Sequence, residues 1–241
     1  FTSPDTMASL INRGVLDMIG AARPSIADPF IPKKIEEGRP EDIRECIGCN
    51  ICASNHFLGV NYRCTQNPTA GEEHRRDWHP EIVPPKGSGD SVLVVGAGPA
   101  GLEAARALGQ RGYQVVLAEA TTELGGRVTR ESKLPGLAEW ARVRDWRIGQ
   151  LHKLPNVEIY RDSELTAEQI LEFGFQHVAL ATGSFWRKDG YGRVNDDPVP
   201  GSEGAHVVSP DDVMAGNLPE GPVVVFDDDR YYMGNVMAEV L

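Results

Sequence analysis

Cysteine occurs four times in this chain, and all four lie between positions 46 and 64. Cys46, Cys49 and Cys52 form the run Cys-Ile-Gly-Cys-Asn-Ile-Cys, and Cys64 follows from further along. Three thiols spaced three residues apart can curl round one small object, with the fourth closing the cage from a returning loop. That is the ligand arithmetic of a cubane iron–sulfur cluster, which takes four thiolates. Structural zinc sites usually come as two separated pairs, and a third cysteine just after the second fits that layout poorly. Disulfides are the other competitor, but three crowded cysteines with Gly48 between them form a poor staple framework. The spacing also departs from the bacterial ferredoxin run, whose fourth cysteine arrives three residues on and precedes proline. Here Thr65 follows a late Cys64, so one cluster on one local loop is the expectation. Ile47, Ile51 and Ala53 can supply an apolar shell. No acid–base group lies inside the triplet, so the chemistry expected is electron relay and not bond-making.

A second stretch is built to meet an anion. Ser91 to Val95 is a continuous apolar strand that runs into Gly96-Ala97-Gly98-Pro99-Ala100-Gly101. A helix follows to Gly112, then a strand from Gln114 to Ala118, ending on Glu119-Ala120. The glycines permit a tight turn, close backbone approach to a diphosphate and close packing of helix on sheet. The helix N-terminus favours the anion. Glu119 can accept ribose hydroxyls, and its charge would repel a 2′-phosphate, which favours an adenosine diphosphate moiety over NADP. Leu124-Gly125-Gly126-Arg127 lies just past the second strand. His177 to Ala181 is a further strand leading into the turn Thr182-Gly183. Together and in this order they favour an FAD- or ADP-binding domain over a plain NAD domain. The candidate nucleotide ligands are Gly96, Gly98, Pro99, Ala100, Gly101, Glu119, Ala120, Gly126, Arg127, Thr182 and Gly183.

The elements around these two stretches set the expected organisation. A helix from Ser3-Pro4-Asp5 to Gly14, a buried strand Val15–Ile19, a small-residue turn at 20–24 and a short helix have the layout of the last unit of a (β/α)8 barrel. Barrels often hold a phosphate in the loops after strands seven and eight. Arg23 is therefore a candidate phosphate ligand by charge-assisted contact, with an exposed surface arginine as the alternative. Residues 27–42 form a charged connector. His74 and His79 are expected to pack or hydrogen-bond, since four thiolates already complete a cluster. Residues 84–89 are a linker. Beyond it, Leu137–Leu154 is expected to be mostly helical, with Arg142, Arg144 and Arg147 on a solvated face. A strand at 156–160 and a helix at 166–173, capped by Thr166 or Ser163, come next. The chain is loop-like from Pro198 to Pro222, and a buried strand is expected over Val223–Phe226. The following turn, Asp227-Asp228-Asp229-Arg230-Tyr231-Tyr232, is where a second dinucleotide domain would place phosphate glycines. Three carboxylates there would repel a diphosphate.

The fold class is thus α/β: a doubly wound Rossmann-like FAD/ADP-binding domain preceded by the end of a (β/α)8 barrel and an iron–sulfur loop. The expected divisions are 1–40 (barrel end), 41–85 (cluster segment), 86–220 (nucleotide domain) and 221–241 (start of a second NAD(P)-domain-like unit). A net charge of -11 argues against nucleic acid or an anionic membrane surface as partner. No apolar run approaches a membrane span, and no signal peptide is visible. Free thiols in a cluster motif point to a reducing, cytoplasmic setting. With Phe1 at its start and structured-looking sequence at both ends, the chain is expected to be an excerpt of a larger protein.

The run Gly-Ala-Ala-Arg-Pro-Ser-Ile-Ala-Asp-Pro-Phe at 20–30, the four-cysteine loop, Cys64-Thr-Gln-Asn-Pro, Gly71-Glu-Glu, Trp78-His-Pro-Glu81 and Val95-Gly-Ala-Gly-Pro closely resemble the trimethylamine/dimethylamine/histamine dehydrogenase family. Its wider relatives are the 2,4-dienoyl-CoA reductases and other old-yellow-enzyme-type NADH:flavin oxidoreductases. The resemblance covers nearly the whole chain. It implies an N-terminal FMN barrel, outside this sequence, that oxidises a small amine. A [4Fe–4S] cluster on Cys46, Cys49, Cys52 and Cys64 would take electrons singly, and electron-transferring flavoprotein would receive them. It further implies Arg23 on the FMN phosphate, ADP on Gly96, Gly98, Gly101 and Glu119, and a homodimer for the full-length protein. Dienoyl reductases instead carry FAD and draw electrons from NADPH. The acidic turn at 227–229 and the short step from Cys49 to Cys52 favour the amine-dehydrogenase side. A nucleotide-binding module with a structural zinc on the four cysteines is the alternative of another class. The 227–229 turn carries its own prediction. A calorimetric titration of the full-length protein with NADH and NADPH should show no micromolar binding, and a micromolar site would reject this reading.

Overall fold

The computed structural model describes residues 2–76 and 78–241; Phe1 and Asp77 lie outside the described residues. Helix α1 (Pro4–Asn12) begins behind Ser3, with proline in its first turn, where a missing N–H costs nothing. It is followed by Gly14 at φ +65°. The strand expected at Val15–Ile19 does not form, and Val15 and Met18 are exposed. A barrel strand is held by neighbours on either side, and among the described residues no strand pairs with this one. Helix α2 (Ala22–Ala27) carries Arg23 in its first turn.

The connector is not a solvated link. It contains helix α3 (Ile31–Glu36), and it buries Asp28 and Lys34. Lys34 Nζ reaches Asp28 Oδ2 at 2.6 Å, Glu81 Oε1 at 3.0 Å and the Asp42 carbonyl at 2.9 Å. Arg44, also buried, donates to Glu81 Oε1 at 2.8 Å and to the Pro80 carbonyl at 2.8 Å. Each buried charge finds its opposite, as low dielectric requires. The partners lie up to 47 residues apart, too far for local sequence to announce them. This network holds Arg44, two residues before Cys46, and helix α4 (Ile51–Phe57) leaves the cysteine loop carrying Cys52 in its first turn.

The centre of the molecule is a sheet. Strand β1 (Ser91–Val95), helix α5 (Pro99–Arg111), strand β2 (Gln114–Ala118), short helix α6 (Arg127–Glu131), helix α7 (Ala141–Leu151), strand β3 (Val157–Tyr160), helix α8 (Ala167–Glu172) and strand β4 (His177–Leu180) follow in order. The four strands are parallel in the order β3-β2-β1-β4, the start of the dinucleotide-binding arrangement. The register sets Val94 opposite Leu117 on one side and Ala179 on the other. One face of the sheet packs Val92, Val94, Val115 and Leu117 against Leu102 and Ala105 of α5 and Leu151 of α7. The other packs Leu93, Val95 and Ala118 against Ile170 of α8 and its flanks Leu165 and Phe175. Both faces are therefore covered at β1 and β2, while Val178 and Leu180 of the edge strand β4 stay exposed, and burying each Val or Leu of the centre stabilises it by about 1.5–3 kcal/mol.

The expected helix at 137–154 is a 3-10 turn (Ala138–Trp140) continued by α7. Thr166 caps α8 through a full capping box with Gln169. The stretch from Pro198 is not all loop, because helix α9 (Pro210–Met214) forms there. Ser209 and Asp212 make its capping box, a local signal that the Ser-Pro-Asp-Asp sequence already carried. Val223–Phe226 is exposed and forms no strand, and among the described residues it has no partner strand either. The chain ends in helix α10 (Met233–Val240), whose Met233, Val236 and Met237 pack on Leu137 and Val213. Among the described residues no helix is long and apolar enough to cross a membrane.

Gly101 shows how tightly α5 sits on the sheet. A Cβ there would stand 1.8 Å from the Gly96 carbonyl oxygen, a backbone atom that cannot swing aside. Gly101→Ala should cost about 3 kcal/mol by overpacking, read from the denaturant midpoint. Gly149→Ala in α7, where a Cβ meets nothing within 4 Å, should be neutral or stabilising by up to about 1 kcal/mol.

Candidate functional site: a four-thiol loop beside a glycine cradle

The cysteine loop is folded by two left-handed residues, Gly48 at φ +71° and Asn50 at φ +62°. Asparagine is among the few side chains that tolerate this region. Between them stands Cys49, packed against Ile47 and, through Ile47, on Val128 of α6 and Val143 of α7. Cys49 Sγ lies 3.1 Å from the Thr65 hydroxyl, which brings the triplet to the returning Cys64 corner. The Gly48 N–H donates to Cys46 Sγ at 3.4 Å, and the Gln66 N–H donates to Cys64 Sγ at 3.3 Å. Burial pushes the Cys64 thiol up. The N–H groups of Asn67 and Gln66 oppose that, and the nearness of Cys49 and Cys46 adds to it. All four cysteines are free and half-buried. Among the described residues no three His, Cys, Asp or Glu side chains gather closely enough for a single metal ion. A cubane spreads its thiolates one to each iron, and N–H donors to sulfur are among the features that set its potential. The donor set and its backbone bonds fit such a group.

Two further contacts reach this loop. Arg23, exposed at the start of α2, donates to the Asn50 side chain. Tyr231, from the turn before α10, donates its hydroxyl to the Cys49 carbonyl. Burial and then Cys49 hold that hydroxyl well above the usual tyrosine range. His79 serves packing, as expected: its ring stacks on Phe30 at 5.2 Å and its Nδ1 accepts from the Glu81 and Ile82 N–H groups.

The glycine cradle lies at the carboxyl ends of β1, β2 and β4, where doubly wound sheets receive ligands. Gly96 turns at φ +97°, and a Cβ there would meet the Ala181 carbonyl at 2.4 Å. Gly98 has open space on its Cα face, while a Cβ on Gly126 would come within 3.1 Å of Gly98 Cα. The Gly125 N–H donates to the Ala97 carbonyl at 2.8 Å, so the two glycine turns are stitched together. Pro99, Ala100, Ala120, Gly126, Thr182 and Gly183 are exposed along this edge, and Gly101 is buried under it. Arg127 bonds to the Ser184 carbonyl and reaches Asp211 Oδ2 at 3.4 Å, tying the second glycine turn to the Thr182-Gly183 turn. Glu119 is 8% exposed. Its Oε2 accepts from the Ala97 N–H at 2.7 Å, and its Oε1 from the Thr121 N–H and hydroxyl at 3.0 and 2.9 Å. The acid expected on a ribose therefore also braces the glycine turn, with lone pairs to spare.

Two buried arginines and the half-buried Glu103 join the two sites. Arg147, placed by pattern on a solvated face, is buried. It donates to Gln66 Oε1 at 3.0 Å and to the Thr65 carbonyl at 3.4 Å, beside Cys64. Its Nε sits 2.9 Å from Glu103 Oε2 of α5, too oblique for a directed hydrogen bond, so the contact is an ion pair. Arg106 holds the other Glu103 oxygen at 2.6 Å. Burial by itself would raise the Glu103 carboxyl, but Arg106 and Arg147 outweigh it and leave it below the usual range. Burial pulls the Arg147 and Arg44 guanidinium groups down, and Glu103 and Glu81 respectively oppose it.

Residues 94–155 match the family described as NAD(P)-binding Rossmann-like domain. The chain is 46% identical to dimethylamine dehydrogenase of Hyphomicrobium sp. (strain x), covering 99% of this chain and 34% of that protein. Histamine dehydrogenase from Rhizobium sp. 4-9 superposes with a TM-score of 0.89 at 60% identity, covering 100% of this chain and 35% of that one. The 6-hydroxypseudooxynicotine amine oxidase of Pseudomonas geniculata N1 superposes with a TM-score of 0.92 at 56% identity, covering 99% and 36%. The chain thus spans about a third of the length of the relatives it matches.

Arg147→Ala removes one of two cations from the half-buried Glu103 carboxylate and should cost about 2 kcal/mol of unfolding free energy. Because the folded Glu103 carboxyl is depressed, its contribution is present above the unfolded value of about 4.3. It is lost as pH falls further. Urea melts at pH 7 and pH 3.5 should show this loss in the parent, and Glu103→Gln should reduce it.

Proposed function

We propose, on the premise that this chain belongs with the dimethylamine and histamine dehydrogenases, that it is the electron-carrying and nucleotide-holding third of an oxidoreductase acting on a C–N bond of a small amine. The observation that carries this reading is one chain placing four thiols, with N–H bonds to two of them, against the helix layer of a glycine-cradle domain. Relatives at 46–60% identity whose names are amine dehydrogenases support it. Cys46, Cys49, Cys52 and Cys64 would hold a [4Fe–4S] cluster, which supplies one-electron relay when bound. The chain's own residues prepare that place: Ile47, Val128 and Val143 exclude water, and Gly48 and Gln66 direct N–H groups at sulfur.

The cradle would take ADP, or the ADP half of FAD. Gly96, Gly98, Pro99, Ala100 and Gly101 would meet the diphosphate, with Gly126, Arg127, Thr182 and Gly183 walling it. Glu119 and Ala120 would stand at the ribose. Arg23 would reach the phosphate of FMN held by a barrel outside this chain. The whole protein would convert an alkylated amine and water to an aldehyde and a smaller amine, releasing two electrons and two protons per turnover to electron-transferring flavoprotein. A homodimer is the proposed assembly. An NADPH-driven reductase finds no support at the acidic turn, where Asp228 accepts from the Val194 and Asn195 N–H groups and Asp227 crowds Gly234.

Purified full-length protein should yield four iron and four sulfide per chain and release ADP, identified by mass spectrometry. Added dimethylamine or histamine should reduce electron-transferring flavoprotein, and the 241-residue chain alone should not do so. One zinc with no sulfide, or stoichiometric NADPH oxidation without amine, would reject the proposal.

A further inference from the structure

Two carboxylates of the turn at 227–232 are taken up by backbone N–H groups. Asp227 Oδ1 accepts from the Arg230 N–H at 3.0 Å, and Asp228 accepts from Val194 and Asn195 at 2.9 Å each. Arg230 sits at φ +53°, a conformation that costs a non-glycine residue about 1 kcal/mol or more and persists where surroundings impose it. So held, the turn presents two adjacent tyrosines to two different elements. Tyr232 donates to Glu131 Oε2 of α6 at 3.2 Å and stacks on Trp140 with ring centres 4.3 Å apart. Tyr231 donates to the carbonyl of Cys49, 182 residues away, and its ring crosses that of Tyr232 at 5.1 Å.

The Cys49 carbonyl belongs to the peptide joining the central thiol to Asn50, the left-handed residue that starts the approach to α4 and Cys52. Whatever fixes that peptide fixes the directions of two thiols at once. We infer that Tyr231 is a positioning residue for the thiol loop: its hydroxyl locks the Cys49–Asn50 peptide, and its half-buried ring shields the Cys49 and Cys52 side from water. The place where a second dinucleotide domain would hold phosphate serves here as a latch on the first domain's metal loop. The inference rests on the assignment of the thiols to a [4Fe–4S] cluster. A hydroxyl dipole with its positive end toward the loop favours the more negative, reduced state of such a group, so its loss lowers the reduction potential.

The test uses full-length protein prepared anaerobically, with Tyr231→Phe beside Tyr232→Phe. Phenylalanine keeps the ring and deletes only the hydroxyl. Tyr231→Phe should show a lower cluster midpoint potential in an EPR-monitored titration and lose iron to a chelator at least threefold faster than the parent. Failure of this variant alone to retain iron is the same result at its limit. Tyr232→Phe, which breaks a bond to Glu131 and none to the loop, should match the parent in both measurements. An unchanged potential and iron-loss rate in Tyr231→Phe would overturn the latch, as would equal effects in the two variants. Iron-free parent protein would overturn the cluster assignment and the latch with it. Iron-replete parent with an unresponsive Tyr231→Phe would overturn the latch alone.

Discussion

The arrangement depends on a guanidinium taken out of water. Arg147 lies on α7, a helix of the nucleotide domain, yet its NH groups end on Gln66 and Thr65 beside the last cysteine. Burying such an ion costs several kcal/mol unless partners replace its hydration. Glu103 supplies the opposite charge, Gln66 and the Val143 carbonyl supply acceptors, and Trp146 offers its ring face. Arg44 and Arg106 lie against the same indole, at 4.4 and 5.5 Å. The corner therefore gathers three cations in a poorly solvated space. Each is set against a carboxylate, Arg147 and Arg106 on Glu103 and Arg44 on Glu81, so the corner holds its charges in pairs.

The same contacts explain how a loop with little regular structure keeps its shape. The chain entering it is fixed at Arg44, whose N–H and guanidinium join the charge network of Asp28, Lys34 and Glu81. At one side the loop packs Ile47 on Val128 and Val143. Tyr231 reaches it from a third segment. The nucleotide cradle and the thiol loop thus share one layer of helices: α5 carries Gly101 toward the cradle and Glu103 toward the loop, two residues apart. A shift of that helix cannot move one site without straining the other.

Much of the catalogue of parts was legible beforehand. The cysteine spacing, the glycine turns, the strand before and helix after them, and the Thr166 cap are local patterns, set within a dozen residues by backbone geometry and propensity. The strand order follows from them through the topology of parallel sheets. The misses have a common cause. Val15–Ile19 and Val223–Phe226 carry strand-like residues, but a strand is a relation between segments, and no partner segment lies among the described residues. Arg147 and Lys34 carry charges that look solvated in any short window, and their partners Gln66 and Glu81 stand tens of residues away.

What the amino-acid order determined by itself was therefore chemical character: where the thiols and glycine turns fall, and which positions admit left-handed backbone. Residue type and near-neighbour spacing are enough for that, because ligand chemistry and left-handed backbone are properties of single residues. What only the folded chain decided was how those groups are held. Burial, ion pairing and the Tyr231 contact depend on distances between remote segments, and those distances are a consequence of packing around the sheet.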